Sequence, residues 1–224
     1  MAAMREIVFD TETTGIFPGD GHRIVEIGAV EMIGKVVTGR TFHTYLDPCR
    51  PMPKDAQAVH GLSTAFLTGQ PVFEMVIDDF LAFIGDDPLI AHNAVFDMEF
   101  LNWELKRANM PVIPHARAID TLEIARRKHP GGKNTLDGLC SRYNIDLSAR
   151  TKHGALLDAE LLAQVYVELS GGRQIGFDLA SQAIVAEVVV ERVDFVARAH
   201  AATAAELERH GLFVAGLKDP LWLH

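Results

Sequence analysis

Residues 5–10 read Arg-Glu-Ile-Val-Phe-Asp, an apolar run between charged ends that predicts a buried strand. Two stretches of alternating, β-branched character follow at 23–32 and 35–46, joined by a turn at Gly34. After the proline-rich break at 48–53 the period changes. Val76, Phe80, Phe83 and Ile84 recur at helical spacing, as do Phe96, Phe100, Leu101 and Leu105. Between them, residues 88–92 (Pro-Leu-Ile-Ala-His) are too few for a helix and read as a strand, and 116–119 reads as another. Further helices are predicted over 121–128, 135–143 and 155–169, the last amphipathic through Leu157, Leu161, Val165 and Leu169. Three strands followed by alternating helix and strand imply an α/β fold, with a mixed sheet covered by helices.

With 224 residues, 48% of them hydrophobic, the chain can bury one sizeable core and carry an appendage. The Gly171-Gly172 pair past the last long helix reads as its C-cap and as the domain boundary. This divides the chain into a domain at 1–172, a linker at 173–182 and a C-terminal segment at 183–224. No window approaches the roughly 18 apolar residues of a membrane span, and the first residues lack the apolar run of a signal peptide. A cytoplasmic protein with no membrane partner is expected. Cys49 and Cys140 lack metal or redox spacing and are expected to be buried free thiols. The formal charge of −9, with no basic stripe in view, allows two readings. Either nucleic acid is not a partner, or the carboxylates of a nuclease are neutralised by divalent cations.

Candidate chemistry bears on that choice. Asp10 and Glu12 stand two apart at the end of the first predicted strand, so both carboxylates point to one face. Alone, such a pair reads as a solvated strand end before the Thr14-Gly15 turn; close together they repel unless a cation lies between them. Asp97 falls one turn into the helix after the 88–92 strand, where an acidic residue commonly answers the helix dipole. The carboxyl ends of strands and the starts of following helices nevertheless converge on one rim of an α/β sheet. His153 precedes the 155–169 helix and Asp158 lies in its first turns, where alone they read as a surface or capping histidine and an acidic residue answering the helix dipole; with Asp158 in a metal cluster, the histidine is placed to take a proton from metal-bound water.

Asp10-x-Glu12, Asp97 and His153-x4-Asp158 resemble the motif set of the DEDDh exonucleases, and the chain is identified as a member of that family. The resemblance extends to Phe9-Asp-Thr-Glu-Thr-Thr-Gly15, Ile24-Val-Glu-Ile-Gly-Ala29, Val59-His-Gly61 and His92-Asn-Ala-Val-Phe-Asp97, over about 5–170. It implies a ribonuclease H-like fold and 3′→5′ exonuclease activity, with two Mg²⁺ or Mn²⁺ ions held by Asp10, Glu12, Asp97 and Asp158 and a proton removed by His153. It further implies that Asp55 and His60, in a short helix and turn at 53–61, join Asp10, Glu12 and Asp158 around the 3′ end of DNA. Thr11, Asn93 and Phe96 could shape the pocket, though Phe96 reads equally well as core.

Within the family, the tail is similar to that of the proofreading epsilon subunits of bacterial DNA polymerase III. Gln174-Ile-Gly-Phe177-Asp-Leu179 resembles a peptide that binds the beta sliding clamp, although so short a pattern also suits a plain linker. Thr203-Ala-Ala-Glu206 is a capping-box pattern opening a helix expected to end near Gly211. Phe213 and Trp222 have no evident core of their own and are expected to anchor the polymerase III alpha subunit. A small theta-like accessory subunit is a further partner of the epsilon type. Two other readings compete: a stand-alone RNase of the ribonuclease T or oligoribonuclease type, and an inactive scaffold bridging polymerase and clamp.

Overall fold

The computed structural model describes residues 4–148, 150, 152–171 and 201–218. These fall into two compact units, one holding 4–171 and the other 201–218. In the first, β1 (Arg5–Thr13) is the centre of a five-stranded sheet in the order β3-β2-β1-β4-β5. β2 (Ile24–Ile33) and β3 (Val36–Tyr45) continue the sheet antiparallel on one side. The turn between them puts both Gly34 and Lys35 at positive φ, as a tight hairpin requires. On the other side lie the short parallel strands β4 (Leu89–Ala91) and β5 (Ala118–Asp120). The ribonuclease H-like, mixed α/β arrangement expected from the sequence is therefore present.

Between β3 and β4 run α1 (Lys54–His60), α2 (Thr64–Leu67) and α3 (Phe73–Ile84). α4 (Ala94–Arg107) joins β4 to β5, and α5 (Thr121–Lys128), α6 (Leu136–Tyr143) and α7 (Ala155–Leu169) complete the unit. Alternation along β1 sorts these helices between the two faces. Ile7 and Phe9 join the core built by Phe73, Ile77, Phe80 and Ile84 of α3 and by Phe100, Leu101 and Leu105 of α4. Val8 packs with Leu162 and Tyr166 of α7, and Glu6 accepts a hydrogen bond from the Tyr166 hydroxyl at 2.7 Å. Four helical residues advance about 6 Å and two strand residues about 6.7 Å, so the two elements keep step. Extended one step further along the same face, Leu162 over Val8 becomes Asp158 over Asp10.

Gly28 permits that approach. It faces Asp10 across the β1–β2 ladder, and a Cβ there would lie 2.1 Å from the backbone nitrogen of Leu156. Only a residue without a side chain lets the first turn of α7 rest on β2.

Several expectations are corrected. β1 continues to Thr13, so Asp10 and Glu12 lie within a paired strand and not at its end. β5 begins two residues late because a 3-10 turn at His115–Arg117 follows Pro114. Cys49 is exposed, in a bend where its amide donates to Asp47 Oδ1 at 2.8 Å; Cys140 is buried, and both are free. In the second unit, α8 (Ala204–Ala215) runs through Gly211 instead of ending there. Its start is held by the Glu206 carboxylate, which accepts from the amide and hydroxyl of Thr203 at 2.8 Å each. Leu207, Leu212 and Phe213 of α8 are exposed.

Gly28→Ala should therefore lift α7 from the sheet and cost on the order of 1–3 kcal/mol or more, the range for overpacking. Urea denaturation of the variant checks this; a midpoint equal to that of the parent would mean that α7 does not depend on the missing side chain.

Candidate active site

The carboxyl groups singled out in the sequence converge from three elements. Asp10 and Glu12 project from β1 toward α7, and a register shift after Glu12 bends the strand just beyond the pair. Asp158, 3% exposed, is the fourth residue of α7. Asp97, also 3% exposed, is the fourth residue of α4, and its Oδ1 accepts from the Thr11 amide at 3.0 Å and the Thr11 hydroxyl at 2.7 Å. A carboxylate answering only the helix dipole would be solvated; this one is fastened to the strand that carries Asp10 and Glu12. Side-chain donor atoms of Glu12, His153 and Asp158 lie within 4.8 Å of one another.

Charge is crowded here. Burial, then the charges of Asp97, Glu12, Asp158 and Glu26, raise the Asp10 carboxyl well above its ordinary range. Burial and the charges of Asp158, Glu26 and Asp97 push Glu12 up to about 8, against a partial offset from Arg150. Burial brings Asp97 to about 7 despite the hydrogen bonds from Thr11. Glu26 is buried directly across from Glu12 on β2, where its Oε1 lies 2.7 Å from His43 Nε2. Such a group of crowded oxygen donors fits hard divalent cations.

His153 stands on the loop before α7, half exposed, with Nδ1 3.2 Å from Asp158 Oδ2. His60, at the end of α1, is buried; its Nδ1 accepts from the Leu62 amide at 3.0 Å, while Nε2 has no hydrogen-bond partner. Burial lowers its pKa against a partial offset from the Thr13 backbone, and the charges of His153 and Lys152 add to the lowering, so His60 shares their surroundings. Gly61, at φ 82°, lets the Lys152 side chain cross that turn, 2.8 Å from where a Cβ would be. Asp55 is exposed on the first turn of α1 and makes no hydrogen bond or ion pair with the cluster among the described residues. Phe96 packs on the core and against Phe100, as its core reading expected. Asn93 is exposed in a left-handed conformation, its amide donating to Asp120 Oδ1 at 3.0 Å. Gln174, Phe177, Leu179 and Trp222 lie outside the described residues.

Two clefts of about 510 Å³ open on the unit, so size does not single out the site. One lies between the 3-10 turn after β1 and α4, lined by Phe17 and Trp103. The other contains Asp10, Asp158 and His153 together with His92, Arg126 and Arg150. His92 donates through Nε2 to the Asn134 carbonyl at 2.8 Å, fixing the wall between α5 and α6.

Residues 7–166 match the family described as "Exonuclease". The chain is 54% identical over 187 residues to the DNA polymerase III subunit epsilon of Rickettsia felis, covering 82% of each protein. The chain belongs to the family of DNA polymerase III epsilon subunits. Among solved structures it is similar to exonuclease X in complex with 5′ overhanging duplex DNA, at 26% identity and a TM-score of 0.58 over 73% of this chain and 90% of that one. It also shares the fold of the nuclease domain of 3′hExo, a DEDDh family member, with 19% identity and a TM-score of 0.65 over 75% of this chain and 92% of that one. The epsilon-family chain is thus a 3′→5′ proofreading exonuclease of a divalent-metal-dependent family, and a stand-alone RNase or an inactive scaffold is not favoured.

Sequence reasoning gave no individual role to three residues of this epsilon-family site, although Glu26 and Gly28 stand in the Ile24–Ala29 stretch of the family resemblance. Gly28 had a signal, since a glycine inside a β-branched strand marks a close backbone approach. Glu26 had a weaker one, an acidic residue in a buried strand. Arg150 had none, because arginines in loops are ordinary.

The raised carboxyl pKa values give a pH dependence with a definite sign. The folded cluster binds more protons than the unfolded chain, so without metal the domain loses stability as pH rises from the ordinary carboxylate range through about 8. Melting in EDTA should give a lower Tm at about pH 8 than at about pH 5, and Mg²⁺ or Mn²⁺ should recover most of the loss at the higher pH. A Tm in EDTA that rises over this interval would contradict the cluster's electrostatics.

Proposed function

We propose that this chain removes mismatched 3′ ends of DNA at the polymerase, with Asp10, Glu12, Asp97 and Asp158 holding two divalent ions and His153 serving as general base. The observation that carries the reading is the convergence of these four carboxyl groups from β1, α4 and α7 beside a cleft lined by Asp10, Asp158 and His153, with burial and mutual repulsion raising the pKa values of Asp10 and Glu12 and burial raising that of Asp97. Bound there, Mg²⁺ or Mn²⁺ would supply positive charge to the attacking and leaving oxygens of an in-line displacement at phosphorus. Asp10 and Glu12, fixed by the β1–β2 ladder, and Asp158, fixed by the seating of α7, give that pair of charges a rigid frame. Thr11 aims Asp97 by occupying one of its oxygens and leaving the other. His153 takes the proton of the attacking water at a ring nitrogen, and a nucleoside 5′-monophosphate leaves.

His60 has the feature expected of a substrate contact, a buried Nε2 without a geometric hydrogen-bond partner among the described residues. Asp55, exposed on the same helix, would act only from the rim. Ile16 and Phe17, exposed a few residues past Glu12, offer apolar surface on which unpaired bases can stack. The partners proposed are the polymerase III alpha subunit through Phe213 and Trp222, the beta clamp through Gln174, Phe177 and Leu179, and a theta-like accessory subunit; the relatives' name supports association with the polymerase. The exposure of Phe213 on α8 supports the first of these. With a charge of −9 the enzyme would owe its hold on DNA largely to tethering, which raises the local concentration of the primer end.

Asp10→Ala should abolish release of mononucleotides from a 3′-mismatched primer, and His153→Ala should slow it by roughly two to four orders of magnitude with metal binding kept. Near-normal rates from Asp10→Ala would sink the assignment, and loss of metal by His153→Ala would make the histidine a ligand. Truncation after Gly172 should leave cleavage of short single strands nearly unchanged while ending co-elution with the polymerase subunit on size exclusion. Continued co-elution would move that interface to the nuclease unit.

A further inference from the structure

Arg150 lies in the loop between α6 and α7, yet its side chain is only 8% exposed. Nε and Nη2 donate to Oδ1 and Oδ2 of Asp158, each at 2.6 Å. Nη1 donates to Asp137 on α6, and Nη2 also lies 2.8 Å from His153 Nδ1. A guanidinium is planar, permanently charged and shaped for such a fork. The fork engages both oxygens of a carboxylate read above as a metal ligand. A guanidinium has no acceptor, so its contact with His153 makes Nδ1 the acceptor and puts the ring hydrogen on Nε2. An imidazole in that state has its one basic lone pair, on Nδ1, engaged by Arg150, so it cannot take a proton there while the contact stands. One side chain therefore engages a metal ligand and the general base together.

We propose that Arg150 competes with the divalent ions for Asp158, so that metal loading and release of His153 are a single event. The proposal rests on the reading of Asp158 as a metal ligand. A guanidinium and a dication repel each other at so short a range, so the two compete for the carboxylate oxygens that face the cluster. Among the described residues the Arg150 backbone makes one hydrogen bond, from its amide to the Leu147 carbonyl at 2.9 Å. Asp137 can retain the displaced side chain through Nη1. The base then becomes competent only when the ions are in, which restrains proton transfer in a site that cannot yet stabilise the reacting phosphate. Apparent metal affinity falls by the fraction of molecules in which the fork is open, so a fork closed nine times in ten lowers it about tenfold.

The test is calorimetric titration of the full chain with Mn²⁺ for the parent, Arg150→Gln, Arg150→Lys and Asp158→Asn. Arg150→Gln should bind Mn²⁺ roughly tenfold more tightly than the parent, and Arg150→Lys, which keeps the charge but loses the fork, should fall between them. A second readout is the ¹⁵N signal of His153 Nδ1 during titration with diamagnetic Mg²⁺. It should move in the parent as the Arg150 contact is lost and stay nearly fixed in Arg150→Gln. Unchanged or weaker Mn²⁺ binding by Arg150→Gln overturns the proposal. Should that variant fail to fold by circular dichroism, Arg150→Lys binding no more tightly than the parent, or a parent Nδ1 signal indifferent to Mg²⁺, overturns it instead. Asp158→Asn separates the two levels. Metal binding unaffected by Asp158→Asn defeats the ligand reading itself, whereas its loss without any gain in the Arg150 variants defeats only the competition.

Discussion

Carboxylates held close together away from bulk water repel one another, and the nuclease unit is arranged to hold four of them together in spite of it. The apolar packing around the cluster offsets the repulsion. Ile7 and Phe9 secure β1 on one face and Val8 on the other, while Leu162, Val165 and Leu169 seat α7. Each fully buried side chain of this kind contributes about 1.5–3 kcal/mol, so a few of them balance the cost of charges that would otherwise part. Gly28, the bend after Glu12 and the two Thr11 hydrogen bonds then set where the charges sit. The packing energy of the fold thus holds together a site whose carboxyl groups repel one another, a setting that suits divalent cations.

Arginine enters this balance as an alternative cation. The Arg150 fork neutralises Asp158 from within the chain, and the partial relief it gives Glu12 is far from complete, since that carboxyl still stands at about 8. One monovalent group fixed to one carboxylate leaves Asp10 and Asp97 facing each other, both with raised pKa values. More positive charge is called for than Arg150 supplies, which is consistent with the divalent-metal dependence of the family.

Much of the fold was legible because periodicity and turn chemistry agreed. The hairpin at Gly34, the short buried strand β4 and the limits of α5 and α7 follow the pattern closely. Misplaced boundaries have local causes: β1 is longer because pairing with β2 carries polar residues into the ladder, and α8 passes Gly211 because one helical glycine is tolerated. In the site, Asp10, Glu12, Asp97, His153 and Asp158 could be singled out because their chemistry is carried by residue type and spacing. Arg150 could not, since its role depends on a loop folding back onto α7. The burial of His60 was equally hidden, because a short helix ending in a glycine turn looks like surface until its packing is known.

The central claim is that the meeting point of β1, α4 and α7 holds two divalent ions through Asp10, Glu12, Asp97 and Asp158. Anomalous diffraction from crystals of the full chain soaked in Mn²⁺ with a nucleoside 5′-monophosphate tests it most directly. Two Mn²⁺ peaks within ligand distance of these carboxylates, with Arg150 withdrawn from Asp158 and no His153 nitrogen in either coordination sphere, are the predicted result. Manganese held elsewhere, or a single ion bound by Glu12, His153 and Asp158 with Asp10 and Asp97 apart from it, would contradict the account.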